Sequence, residues 1–304
     1  MKLLAPAYYK NFKCAADRCT HSCCVGWEID VDSGTLAAYQ RLSHPIGGDI
    51  RASIAEDEGG AHFCLTRDER CPHLDERGLC RIILALGEEA LPEICREHPR
   101  FYNRVNGRLE CGVGVSCEVA AELVLSSDSY ATLVEIGEDP CMGEPPADLD
   151  VVAARERVFA ILSDRSLPYA RREALIEAEC QISATLSREE REALLSELEY
   201  LDPAHESVLA AAFSAPVCGD MGESERLFER LLAYFIYRHA SAAKTRRDFD
   251  VLVGVALLLV RLFAAILSLS DLTPVSAAVL LSEELEYSED NLEAIRFAVE
   301  MHNI

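Results

Sequence analysis

Cysteine residues crowd the beginning of this chain and supply its most evident chemistry. The stretch "FKCAADRCTHSCCVGWEIDVD" at 12–32 contains four of them, Cys14, Cys19, Cys23 and Cys24. Further cysteines follow at wider spacing, namely Cys71, Cys80, Cys95 and Cys117. Thiolates bind soft and borderline cations, and such sites usually draw four ligands from short loops. The density of thiols in polar company therefore predicts a bound metal.

The spacing does not identify the metal. The run C-x4-C-x3-C-C differs from the paired C-x2-C of zinc ribbons, from the ferredoxin run and from the C-x3-C-x2-C loop of radical S-adenosylmethionine enzymes. Some cysteines fit the alternative that they are ordinary buried side chains. We expect four cysteines to be such buried side chains, namely Cys64, Cys141, Cys180 and Cys218. His21 is a possible further ligand, but a polar loop residue is the simpler interpretation.

Charge and composition narrow the class of protein. The formal net charge of −23 argues against a nucleic-acid or anionic-membrane partner, because neutralising phosphates requires clustered Lys and Arg. The N-terminal "MKLLAPAYYKNFK" has no apolar region of signal-peptide length, so we expect a cytoplasmic protein whose thiols stay reduced. Half of the chain is hydrophobic, which is enough for a core without cross-links.

The elements expected around the cysteines are short. Helices are predicted at 33–42 with Ser33 as N-cap, at 81–96 and at 117–126 after the cap Ser116. The Asn106-Gly107 pair predicts a β-hairpin. Cys80 closes a turn that should return it to the neighbourhood of Cys71. The fold class is therefore mainly α, with a small cysteine-rich α+β metal-binding unit over 1–140 followed by an all-helical domain.

Helical periodicity dominates from 148 to 304, and "DPCMGEPPAD" at 139–148 is the predicted boundary. The apolar stretch "VLVGVALLLVRLFAAILSL" at 251–269 has the length of a membrane span, but it contains Arg261. A central Arg costs about 2.5–3.5 kcal/mol on insertion scales. We therefore expect a buried helix, with Arg261 at its edge or facing a polar site.

Several segments resemble the flagellin lysine-N-methylase family, which is related to a broader group of zinc- or iron-chelating cysteine-rich proteins. They are "LAPAYYKNFKCAADRCTHSCCVGWEIDVD", "CPHLDERGLCRIILALGEEALPEICREHPRFY", "SCEVAAELVL", "LLAYFIYRH" and "EYSEDNLEAI". The resemblance extends along nearly the whole chain. It implies methyl transfer from S-adenosylmethionine to flagellin lysines by a protein with an iron–sulfur cluster, in the first place [4Fe–4S], with zinc as the alternative. All eight cysteines of the pattern are implied candidates, with Cys23, Cys80, Cys95 and Cys117 ranked first.

Methylating an amine requires a neutral lysine, so the site must accept its proton. The family's later segments contain suitable groups, namely Tyr234, Tyr237, Arg238, His239, Glu286 and Asn291. We take Tyr237 and Glu286 as catalytic candidates and Arg238 as a group that binds the carboxylate of the methyl donor. Arg96 and Arg100 are assigned to the cofactor, as cations that offset thiolate charge. The sequence also leaves open a non-catalytic iron–sulfur or zinc module that binds a partner protein.

Overall fold

The computed structural model describes residues 2–20, 22–138, 149–215 and 224–304. They form two compact units, one of Met1–Phe12 with Phe101–Ile304 and one of Lys13–Arg100. The protein is mainly α-helical with a small sheet region, as expected from the sequence. The predicted boundary at 139–148 lies outside the described residues, so the division into 1–140 and 148–304 stays a prediction.

The sheet of the larger unit is built around the first strand of the chain. Its strands are β1 (Lys2–Pro6), β4 (Arg100–Val105), β5 (Arg108–Val113) and β6 (Leu133–Glu138), in the order β4-β5-β1-β6. Strand β1 runs parallel to β5, with Leu3 opposite Leu109, and antiparallel to β6. The β4–β5 turn has positive φ at Asn106 (45°) and Gly107 (79°), which confirms the predicted hairpin and its primed turn.

Helices make up the rest of the larger unit. They are α5 (Glu118–Ser126), α6 (Val151–Leu162), α7 (Tyr169–Cys180), α8 (Arg188–Leu195), α9 (Glu206–Ser214), α10 (Glu225–His239), α11 (Arg246–Leu269), α12 (Pro274–Leu281) and α13 (Glu289–His302). A π-helical segment, Ser282–Glu286, extends α12. Short 3-10 turns occur at Ala7–Asn11, Pro203–His205 and Ala240–Ala242. The helix predicted at 117–126 is confirmed, but its N-cap is Cys117 rather than Ser116.

Helix α11 is the apolar stretch that has the length of a membrane span. It passes the length and hydropathy criteria for a span, yet 78% of its most hydropathic window is buried inside the protein. Arg261 lies on its less buried side, where it pairs with Glu173 and Glu177, both at 2.9 Å. The expectation of a core helix with Arg261 facing a polar site is therefore confirmed.

The smaller unit consists of short elements. They are α1 (Ser33–Arg41), α2 (Gly47–Ala52), β2 (Ile54–Asp57), β3 (Gly60–Phe63), α3 (Arg81–Leu86) and α4 (Glu93–Glu97), with 3-10 turns at Ala16–Arg18 and Glu88–Ala90. Helix α1 is capped by the Asp32 side chain rather than by Ser33. The single helix predicted at 81–96 is wrong, because Gly87 takes a positive φ of 86° and Pro92 precedes α4.

The two units have cores of different size. A continuous apolar cluster runs through the larger unit, and α11 and α10 contribute more of its buried side chains than any other two helices. In the smaller unit, nine buried apolar side chains are described in the core, and one of them is Cys71. Cys24, Cys80 and Cys95 pack against this small cluster. The smaller unit thus combines its modest core with thiols.

Candidate functional site

Glu286 ends the π-helical segment and lies at the centre of a buried polar cluster of the larger unit. Its Oε1 accepts hydrogen bonds from Tyr234 Oη and His239 Nε2, both at 2.8 Å, and lies 3.2 Å from Arg238 Nε. Its Oε2 accepts a short hydrogen bond from the Ser282 hydroxyl. A π-helical turn places Ser282 and Glu286 on one side, and such turns are frequent at functional sites.

The charge of Glu286 is stabilised although only 4% of the residue is exposed. Burial alone would raise the pKa of this carboxyl. The Arg238 charge and the hydrogen bonds from His239 and Ser282 outweigh burial and hold the pKa below its usual value. Glu286 is therefore an ionised carboxylate that four donors surround.

Arg238 is fixed from several directions. Its guanidinium lies between two aromatic rings, 4.9 Å from the centre of Phe101 and 4.3 Å from that of Tyr287. Its Nη1 also donates to Tyr234 Oη at 2.9 Å. Gly114, in the turn between β5 and α5, leaves room for this arrangement, since a Cβ there would lie 2.0 Å from Tyr287 Oη and 2.6 Å from Arg238 Nη1.

The structure brings together four of the six polar groups singled out in the later segments. They are Tyr234, Arg238, His239 and Glu286. Tyr237 faces another way, with its hydroxyl donating to the Cys111 carbonyl oxygen at 3.0 Å and Arg155 over its ring. Asn291 ties the Glu199 backbone to the Glu284 carbonyl oxygen.

Three members of this cluster escaped the sequence analysis. Ser282, Tyr287 and Gly114 have no signal of their own, since a serine, a tyrosine and a glycine occur at many structural positions. The spacing of Ser282 and Glu286 is the one usable hint, because residues four apart share a helix face. Nothing in the sequence indicates the π-helical segment.

Other buried carboxylates of the larger unit have cationic partners of their own. Arg155 binds both oxygens of Glu110 at 2.7 Å, and Arg172 Nη1 lies 2.6 Å from Glu229. Glu284 accepts from His205 Nδ1 at 2.7 Å and from the backbone N–H groups of Leu201 and Asp202. These pairs hold helices and loops in place. Two of the buried carboxylates, Glu284 and Glu286, contact a partly exposed histidine, namely His205 (25% of its side chain) and His239 (12%).

The second candidate site is the group of thiols in the smaller unit. The Cys71 N–H donates to the Cys24 carbonyl oxygen at 2.9 Å. Cys80 pairs with Leu74 in an antiparallel bridge, and Arg81 N–H donates to the His73 carbonyl oxygen. This closes the predicted turn and returns Cys80 to the neighbourhood of Cys71, as expected.

The thiols are close enough to perturb one another. Burial raises the pKa of the Cys95 thiol to about 12, and the neighbouring Cys71, Cys80 and Cys23 add to the rise. Burial likewise raises the pKa of Cys71, against a hydrogen bond from the His73 N–H to its sulfur. For Cys23 the largest cause of a raised pKa is the hydrogen bond with the Cys24 thiol, and His98 opposes it. Neighbouring thiolates repel one another, so several thiols in one place do not ionise together unless a bound cation compensates their charge.

The donor set matches a thiolate-bound metal or iron–sulfur cluster in chemical type. Cys23, Cys71, Cys80 and Cys95 share one unit, and an N–H donor to sulfur is typical of bound thiolates. Within the part of the chain that the structure describes, however, no three His, Cys, Asp or Glu side chains are arranged to hold a metal ion. The predicted metal site is therefore not confirmed.

The remaining predicted residues lie elsewhere. Cys14 is exposed and Cys19 half-buried near the start of the smaller unit, whereas Cys117 caps α5 in the larger unit. Arg96 follows Cys95 on α4, and Arg100 Nη1 donates to the Arg96 carbonyl oxygen.

Of the cysteines expected to be ordinary core residues, two lie among the described residues, and they differ in burial. Cys180 is buried at the end of α7, as expected, whereas Cys64 is exposed, so the expectation of a buried Cys64 is wrong. Cys141, Cys218 and His21 lie outside the described residues.

Comparison with known proteins supports one relationship. The chain is 28% identical over 137 residues to the flagellar biosynthetic protein FliU of Salmonella muenchen, covering 41% of this chain and 79% of that protein. It is also 28% identical over 141 residues to the lysine-N-methylases of Salmonella choleraesuis and Salmonella typhimurium, covering 41% of this chain. The chain is similar to lysine-N-methylases. The resemblance expected from the sequence is thus confirmed.

The extent of the similarity is limited. The matched region spans 33% of the length of each lysine-N-methylase, and its 41% share of this chain is smaller than the nearly full extent expected. No protein-family model matches the chain, and no solved structure matches it.

Proposed function

We propose that this protein is a protein-lysine N-methyltransferase that uses S-adenosylmethionine to methylate flagellin lysines. The observation that carries the proposal is the similarity to relatives named lysine-N-methylase and to a flagellar biosynthetic protein. The protein would act in the cytoplasm on flagellin, with no nucleic acid or membrane as partner. Its acidity (−23) suits a substrate segment that presents lysines.

The Glu286 cluster offers groups that amine methylation needs. A lysine ammonium must lose a proton before its lone pair can attack the methyl group in line with the departing sulfur. Glu286 and His239 provide a negatively charged, proton-accepting pair. Arg238, held rigidly between Phe101 and Tyr287, is the group proposed to bind the donor's carboxylate. Tyr237 stays a catalytic candidate, although its hydroxyl is committed to the Cys111 carbonyl.

We further propose that the smaller unit holds an iron–sulfur cluster, in the first place [4Fe–4S], with zinc as the alternative. Cys23, Cys71, Cys80 and Cys95 would hold it, because these four thiols lie in the same unit and the first three contribute to the raised pKa of Cys95. Arg96 and Arg100 would offset part of the thiolate charge. When bound, the cluster would supply a thiolate-linked cation that fixes the fold of this unit.

The test is methyl transfer by anaerobically purified protein. With flagellin and methyl-labelled S-adenosylmethionine, we expect label on lysine side chains, located by mass spectrometry of peptides. Flagellin with acetylated lysines is the matched control and should stay unlabelled. Absence of transfer by protein that retains its metal would favour a non-catalytic module that binds a partner.

The metal itself is tested separately. Brown protein with broad visible absorption and iron and sulfide in equal amounts would support the cluster. Colourless protein with stoichiometric zinc would contradict the iron–sulfur proposal while leaving the methyltransferase proposal intact.

A further inference from the structure

We infer that His239, rather than Glu286, takes the proton from the substrate amine, and that Glu286 is the positioning residue that orients it. This inference rests on the proposed methyltransferase function and assigns the proton acceptor within the same cluster.

Glu286 is poorly suited to meet a substrate. Its oxygens already accept hydrogen bonds from Tyr234, His239 and Ser282 and lie beside Arg238. Its side chain has no exposed surface, whereas that of His239 is 12% exposed. An ammonium group could reach the carboxylate only by displacing one of these partners, and a buried donor left unpaired costs about 1–3 kcal/mol. A substrate can therefore approach the His239 imidazole but not the Glu286 carboxylate.

The carboxylate fixes the tautomer of the imidazole. Because the pKa of Glu286 is held below its usual value, the group is ionised near neutral pH and can only accept. The 2.8 Å bond to Oε1 therefore requires His239 Nε2 to carry a hydrogen. Neutral His239 then has its lone pair on Nδ1, and that nitrogen can take a proton.

The groups around His239 restrain its imidazole and place a carboxylate beside it. Glu286 lies against it from the π-helical segment and compensates a positive charge, while Arg238 binds the same carboxylate oxygen. His239 is also the last residue of α10, where the helix dipole stabilises a cation by about 0.3–1 kcal/mol. The Phe235 ring stacks on the imidazole at 6.3 Å between centres and limits its rotation.

The proton and the methyl group move in a balanced sequence. Lysine ammonium gives one proton to His239 Nδ1, which leaves a neutral amine and an imidazolium. The amine lone pair forms the new N–C bond as the S–C bond of the sulfonium breaks, and the bonding pair stays on sulfur to give a neutral thioether. The imidazolium then returns its proton to water.

The test compares two histidines in matched positions. His239 and His302 each end a helix and each pair with a glutamate, Glu286 and Glu190 respectively. In metal-loaded protein, we expect His239→Gln to lower kcat for flagellin methylation about 100-fold or more, with KM nearly unchanged. His302→Gln should behave like the wild type.

Two readouts separate proton transfer from a structural role. Added imidazole should partly restore His239→Ala, because free imidazole can replace the missing base but not a missing packing contact. Glu286→Gln should lower kcat with KM nearly unchanged, since a carboxamide no longer fixes the imidazole with its lone pair on Nδ1. Circular dichroism and thermal unfolding of each variant check that it is folded.

The outcomes are distinct. An active wild type with a folded His239→Gln variant of equal kcat, or with a folded His239→Ala variant that imidazole cannot rescue, overturns the inference alone. A metal-loaded wild type that transfers no methyl group overturns the proposed function and the inference with it.

Discussion

In the larger unit, buried carboxylates lie beside arginine or histidine, whereas in the smaller unit the thiols of Cys71, Cys80 and Cys95 lie beside one another. The first arrangement compensates each buried charge within the protein. In the second, burial raises the pKa of Cys71 and Cys95 and the neighbouring thiols add to the rise, an effect that an added cation would reverse. The contrast teaches that the larger unit compensates its buried charges with its own side chains, whereas we propose that a metal does so for the thiols of the smaller unit.

Removing the metal should distinguish the units most strongly. A structural thiolate-bound metal contributes about 10 kcal/mol or more to folding, so a chelator should unfold Lys13–Arg100 and spare the helices of the larger unit. Hydrogen exchange, read separately on peptides of the two units, measures this. Equal protection of both units before and after metal loss would contradict the contrast.

Single thiol substitutions refine the same prediction. Cys80→Ser and Cys95→Ser should each lose metal, as measured by elemental analysis, whereas Cys180→Ser should keep it because Cys180 lies in the helical core. Full metal content in both of the first two variants would overturn the proposed ligand set.

The next largest effect concerns a buried ion pair of the larger unit. Arg155→Ala leaves Glu110 with one partner fewer in a fully buried position, and we expect a loss of about 3 kcal/mol in the free energy of unfolding. Arg157→Ala, two residues along α6, removes a half-exposed pair with Glu179 and should cost less than about 1 kcal/mol. Urea unfolding measures both, and equal losses would show that burial of the pair does not matter.

The smallest effect is an acid transition of the smaller unit. Asp32 accepts from the N–H groups of Thr35 and Glu93, and so ties α1 to the helix that carries Cys95. Burial raises the pKa of this carboxyl, but the backbone hydrogen bonds outweigh it and lower the pKa to about 2. Because the folded pKa lies below the unfolded value of about 3.9, the stabilisation is present above pH 4 and is lost as the pH falls towards 2.

We expect this loss to reach about 2 kcal/mol. Asp32→Asn should remove the transition, and Asp30→Asn, at an exposed neighbour, should keep it. Thermal unfolding between pH 2 and pH 5 measures both variants. An unchanged transition in Asp32→Asn would assign the acid sensitivity to another group.

Local signals explain what the sequence predicted well. The Asn106-Gly107 turn and the core helix with Arg261 depend on neighbouring residues and on periodicity, and the structure agrees. The single helix expected over 81–96 is wrong because Gly87 adopts a positive φ, which ends the first helix. The helix propensity of the residues on either side does not reveal this interruption.

Long-range pairing explains what the sequence could not predict. Tyr234, Arg238 and His239 all lie near the end of α10, but their meeting with Glu286 depends on how a π-helical segment packs. Tyr237 lies on the same helix and faces Cys111 instead. No local rule distinguishes these two tyrosines.

The position of β1 between β5 and β6 has a consequence for how the chain is made. Lys2–Pro6 is translated before the smaller unit, yet its partners Leu109 and Leu133 are translated only after the whole of that unit. Domains tend to fold as units during synthesis. The smaller unit can therefore fold on the nascent chain while β1 is still an unpaired strand, and slow folding of that unit would prolong the interval in which the unpaired edge is open to aggregation.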